Sequence, residues 1–83
     1  MDVETVVRRF LTTELGKDMS QVGVDDSMLE SGTIDSVGVM QLVAFLGKTF
    51  EITVEDDDLT PENFDTIGAI AAFVAQRQAA ARG

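Results

Sequence analysis

An all-α fold, a small four-helix bundle, is predicted by three features of this chain. Three stretches carry apolar residues at the i, i+3, i+4, i+7 spacing that lines one side of a helix. Start signals stand where two of those stretches, and one short further stretch, begin: Asp35-Ser36, Asp65-Thr66 and Thr60-Pro61. With 83 residues, 45% of them apolar, residues 1–83 form one domain that can bury a modest core.

The first helix is expected over residues 2–15, with Val3, Val6, Val7, Phe10 and Leu11 on one face. Asp2 and Glu4 suit its positive end, and Gly16 suits a left-handed stop. Arg8 and Arg9 lie on the outer side, solvated or in contact with a partner or a phosphate. A long loop follows over residues 17–35. Val22 and Val24 are expected to tuck onto the bundle, and Ser27-Met28-Leu29-Glu30 fits a capping box that starts one short helical turn. Met28 or Leu29 would anchor it, and Gly32 gives freedom for the final bend. A loop this long in so small a domain usually has a function.

The second helix is expected over residues 36–50. Val39, Leu42, Val43, Leu46 and Phe50 form its core stripe. A second apolar set, Val37, Met40 and Ala44, occupies a different face. Met40 belongs either to this outer set or to a wide core face. Gly38 and Gly47 each cost about 1 kcal/mol relative to alanine inside a helix, and close approach by a partner backbone is one reason to keep them. Ser36 stands where the stripe begins. A hydroxyl there lies beside unpaired backbone N–H groups at the positive end of the helix dipole, a place suited to phosphate. The alternative for Ser36 is a plain helix cap.

Ile52 and Val54 alternate as in an extended segment pinned to the core, and Glu55-Asp56-Asp57-Asp58 reads as a solvated acidic run. The run lacks the glycine and the ligand spacing of a calcium loop, so no metal site is assigned. Thr60-Pro61 starts a short third helix through Phe64, anchored by Leu59 and Phe64. Asp65-Thr66 caps the last helix, with Ile67, Ile70, Ala71 and Val74 inward and Phe73 at the edge of the core. The tail from Gln76 to Gly83 is expected to fray.

Composition removes several function classes. There is no cysteine and no histidine, hence no disulfide, no thiolate and no Ser-His or Cys-His arrangement, and no enzyme is expected. The formal charge of −9 argues against nucleic acid. From Asp25 to Asp65 there are eleven acids and one base, Lys48, which predicts basic partners and salt-sensitive association. No apolar run approaches a membrane span, and the start Met1-Asp2-Val3-Glu4 lacks a secretory signal's basic region, so a cytoplasmic protein is expected. A monomer is also expected.

The Asp35-Ser36 pair, set after a long loop and before an apolar helix in a short acidic chain, resembles the acyl and peptidyl carrier protein family. The likeness spans nearly the whole chain. It implies that Ser36 carries 4′-phosphopantetheine, a covalent cofactor drawn from coenzyme A, with an acyl or aminoacyl cargo held as a thioester. It assigns Asp35 to the same site, positioning the hydroxyl or a metal during modification, or simply capping the helix. It makes Val37, Met40 and Ala44 a docking face for partners. These would be a phosphopantetheinyl transferase, an adenylating acyl or aminoacyl ligase, and a downstream acyltransferase or condensing enzyme. Carriers of fatty-acid synthesis usually bear several acids along this helix, whereas here none lies between Val37 and Phe50. The run Asp35-Ser36-Val37-Gly38-Val39-Met40-Gln41-Leu42 is instead similar to stand-alone carriers such as the D-alanyl and aminoacyl groups. The competing reading is an acidic helical interaction domain with no prosthetic group.

Overall fold

The apolar stripes fold as helices that meet at one core. The structure, a computed structural model, describes residues 2–82, and no strand occurs among them. Helix α1 spans Val3–Thr13, α2 Ser36–Thr49, α3 Pro61–Phe64 and α4 Ile67–Arg82, with a single 3₁₀ turn at Asp56–Asp58. α1 packs on both α2 and α4, and α3 packs on α4. Two aromatic pairs join the elements. Phe10 of α1 stacks on Phe45 of α2 at 4.3 Å between ring centres, and Phe64 of α3 tilts against Phe73 of α4 at 5.3 Å. Each such pair adds about 0.5–1.5 kcal/mol beyond the area it buries.

Each stripe buries its central residues. Val7 and Leu11 of α1, Leu42 and Leu46 of α2, and Ile67, Ile70 and Val74 of α4 are fully enclosed. Val39, Val43 and Phe50 flank the α2 stripe, half-buried. Phe73 lies within the core rather than at its edge. α1 ends as its sequence predicts: Gly16 takes φ +66°, a left-handed turn costly for a residue with a Cβ. α2 ends differently, because Glu51 occupies the left-handed region at φ 54° with no glycine to ease it. The tail from Gln76, expected to fray, continues as helix through Arg82, and Gly83 lies outside the described residues.

The loop between α1 and α2 is pinned by side chains its sequence only partly betrays. Met28 and Ile34 insert fully into the core, and Met19 is buried beside them. Val22 packs against the core as expected, but Val24 does not tuck in and stays exposed. The Ser27–Glu30 segment is a turn rather than a helix. The Glu30 N–H donates to Ser27 Oγ at 3.1 Å, half of a capping box, while the Ser27 hydroxyl donates away to Asp65 Oδ1 at 2.6 Å. Asp65 therefore does not cap α4. Its carboxylate also accepts the Leu29 N–H, its carbonyl accepts the Met28 N–H, and the α4 cap falls to Thr66, whose Oγ1 accepts the Ala69 N–H. Asp65 spends its hydrogen bonds fastening the loop to the α3–α4 junction. This leaves the loop's exit at Ile34 rigidly placed next to the start of α2.

The acidic run is not wholly solvated either. Glu55 and Asp58 form a capping box around the 3₁₀ turn, and Asp58 pairs with Arg77 of α4. Ile52 is buried and Val54 half-buried, which pins the extended segment before that turn.

Candidate functional site

Ile34 is the anchor from which the site is built. Its side chain lies in the core and its N–H donates to the Met28 carbonyl at 3.1 Å, so the next residue leaves the loop in a fixed direction. Asp35 follows with extended backbone, and its Oδ1 accepts the Gly38 N–H at 2.8 Å, while its carbonyl accepts the first helical bond from Val39. Asp35 is thus the N-cap of α2, which leaves Ser36 as the first helical residue, exposed and released from capping. The helix dipole and unpaired N–H groups of the first turn give Ser36 a positive setting.

Ser36 stands on the rim of an apolar groove of about 220 Å³. Val39 and Met40 of α2 form one wall, Leu59, Pro61 and Phe64 the other, and Leu29 from the long loop also lines it. The residues therefore fit an arm joined through phosphate. The hydroxyl is free to bear it, the positive pole tolerates its charge, and the groove offers an apolar resting place.

Three residues expected on an outer face of α2 are exposed: Val37 at 66%, Met40 at 56%, and Ala44. Met40 serves two surfaces, the groove and this face, while Val37 and Ala44 stand outside the groove. Gly38 has an explanation within its own chain. A Cβ at Gly38 would lie 2.7 Å from Ile34 Cγ1, so the glycine makes room for the loop anchor of its own chain. At Gly47 the nearest atom is the Ile52 carbonyl oxygen at 3.4 Å, an ordinary contact that leaves room for a Cβ, so packing within the chain does not explain this glycine. Arg9 is exposed, and Arg8 donates to the Met19 carbonyl at 3.3 Å, which fastens the loop to α1. Among the described residues, no group of three or more Asp, Glu, His or Cys side chains is placed to hold a metal. Nor is any helix there long and apolar enough to cross a membrane.

The groove's far wall and the role of Ile34 are what sequence reasoning missed. Leu59 and Phe64 read as local anchors and Pro61 as a helix start, and nothing in their spacing announces that they share a groove with Ser36. The signal for Ile34 was the lone aliphatic between Thr33 and Asp35.

Comparison with known proteins agrees with this geometry. The sequence profile of the family described as "Phosphopantetheine attachment site" matches residues 5–74, a span that includes Ser36. An acyl carrier protein of Exiguobacterium sibiricum is 37% identical over 82% of this chain and 84% of its own length. One from Chlamydia trachomatis serovar D is 28% identical over 94% of this chain and 99% of its own length. A D-alanyl carrier protein of Streptococcus suis is 28% identical over 92% of this chain and 95% of its own length. The identities thus do not favour the D-alanyl group over the acyl carriers.

Proposed function

Because this chain belongs to the phosphopantetheine-attachment family of carrier proteins and bears that group covalently, we propose that it is a stand-alone acyl carrier modified at Ser36. In this reading the Ser36 hydroxyl oxygen attacks the β-phosphorus of coenzyme A. It forms the phosphodiester while adenosine 3′,5′-bisphosphate leaves and the hydroxyl proton passes to a base of the transferase. When bound, the arm supplies a thiol that holds an acyl or aminoacyl group as a reactive thioester. The observation that carries the reading is the division of labour at the head of α2. Asp35 takes the cap, so Ser36 is left exposed beside a positive helix end and an apolar groove.

The other residues follow from their placement. Asp35 holds the first turn in register, and during modification it also helps orient the hydroxyl or a metal brought by the transferase. Val37, Met40 and Ala44 form a small apolar docking strip, met in turn by the transferase, an adenylating ligase and an acyltransferase or condensing enzyme. A strip this narrow, on a chain of net charge −9, gives association that is quick, salt-sensitive and brief, as a cytoplasmic shuttle requires. The protein itself performs no catalysis; it supplies address and tether.

The test is incubation with coenzyme A and a broad-specificity phosphopantetheinyl transferase, followed by intact-mass measurement. The wild type gains one phosphopantetheine. No gain with several transferases would overturn the reading and favour an acidic interaction domain.

A further inference from the structure

The far wall of the groove is too short to hold itself. α3 is four residues long, well below the length at which a helix is stable alone, so its position depends on ties to other elements. One end is anchored by Phe64, which is buried in the core. The other end begins at Leu59, directly after Asp58, and Asp58 is the point where the ties converge. Its Oδ2 accepts the Glu55 N–H at 3.0 Å, and its carbonyl accepts Asn63 Nδ2–H at 2.8 Å. Its Oδ1 pairs with the Arg77 guanidinium from α4. That guanidinium lies 5.0 Å over the Phe73 ring, and Phe73 in turn tilts against Phe64. Arg77 therefore touches both ends of the wall, the Leu59 end through Asp58 and the Phe64 end through Phe73.

We propose that the Asp58–Arg77 pair is a clasp that positions the Leu59–Phe64 wall and governs how readily the groove beside Ser36 opens. Arg77 is a positioning residue, remote from the hydroxyl and acting through Asp58. The clasp is built to release. It is only partly buried, and Arg77 Nε is enclosed without a partner among the described residues, so the guanidinium is incompletely satisfied when closed. That the opening serves an attached arm rests on the carrier reading; the clasp itself does not.

The experiment compares wild type, Arg77→Gln and Arg77→Lys. In the unmodified protein, amide hydrogen exchange at Leu59, Thr60 and Asn63 is expected to quicken about fivefold in Arg77→Gln, with α1 amides unchanged. Arg77→Lys, which keeps a cation opposite Asp58, restores most of the protection. In protein carrying an octanoyl thioester on the arm, Arg77→Gln is expected to hydrolyse about fivefold faster, and Arg77→Lys near the wild-type rate. Unchanged exchange at the wall, or a uniform rise across all helices, overturns the clasp. A local rise with unchanged hydrolysis also overturns it as a control on the groove. If the wild type accepts no arm, the carrier reading fails, and the exchange comparison alone decides the clasp.

Discussion

Replacing Gly38 by alanine sets two effects against each other at the site's foundation. Inside a helix the change gains about 1 kcal/mol from propensity. The added methyl, however, would sit 2.7 Å from Ile34 Cγ1 and 3.4 Å from Asp35 Oδ1. Cγ1 is next to a branched carbon in a fully packed side chain, so it cannot swing aside without moving the backbone before Asp35. Overpacking of this kind costs about 1–3 kcal/mol. The clash wins, and Gly38→Ala should be less stable by about 1 kcal/mol, lowering the melting temperature by about 4–8 °C in a domain of this size. Gly47→Ala is the internal control. It lies in the same helix with the same propensity gain, but its methyl meets only the Ile52 carbonyl oxygen at 3.4 Å, so it should melt at or above the wild type. Thermal unfolding by circular dichroism measures both. Because Ile34 leads into Asp35 and Ser36, the transferase should also modify Gly38→Ala more slowly. If Gly38→Ala proves as stable as Gly47→Ala, room for Ile34 is not why position 38 is glycine.

Asp35→Ala removes the cap that the Gly38 N–H donates to and should cost about 1 kcal/mol, read in a urea titration. Val37→Glu and Met40→Glu add charge to exposed apolar positions, so stability should stay within about 0.5 kcal/mol while the rate of loading by a cognate ligase falls severalfold. Equal loading would remove these residues from the docking strip. The Ser20 hydroxyl and backbone N–H both donate to Asp18 and hold its carboxyl below the usual carboxylate range. A carboxyl lowered by folding stabilises the fold above its unfolded pKa and loses that contribution as pH falls through the folded value. Ser20→Ala should therefore raise the Asp18 titration midpoint seen by NMR, and an unmoved midpoint would discount the hydroxyl.

Helices were legible because their signals are local. The α2 stripe of Leu42 and Leu46, the glycine stop at Gly16 and the proline start at Pro61 each follow from spacing or backbone preference within a few residues. What was hidden depends on partners far along the chain. Asp65 looks like a helix cap from its neighbours, yet it binds Ser27 and Leu29 across the fold. Asp58 looks like one acid in a solvated run until Arg77 is folded against it. Gly38 looked like an allowance for a partner because Ile34, only four residues earlier, gives no periodic sign of being core. Glu51 shows the limit from the other side, since nothing about a glutamate announces a left-handed residue. At the head of α2, the placement of Asp35 and of an exposed Ser36 was legible from their position. The groove was not, since it joins α2 to a wall drawn from the Leu59–Phe64 segment.

In the carrier reading one hydroxyl, freed from capping by its neighbour, bears the arm. Fragment mass spectrometry of the modified protein is the decisive measurement, because Ser27, Ser31 and Thr33 offer competing hydroxyls in the loop just before Ser36. The whole added mass should lie on Ser36 and none on Ser36→Ala, which should fold as stably as the wild type. An arm located on any other hydroxyl, or retained by a folded Ser36→Ala, would contradict it.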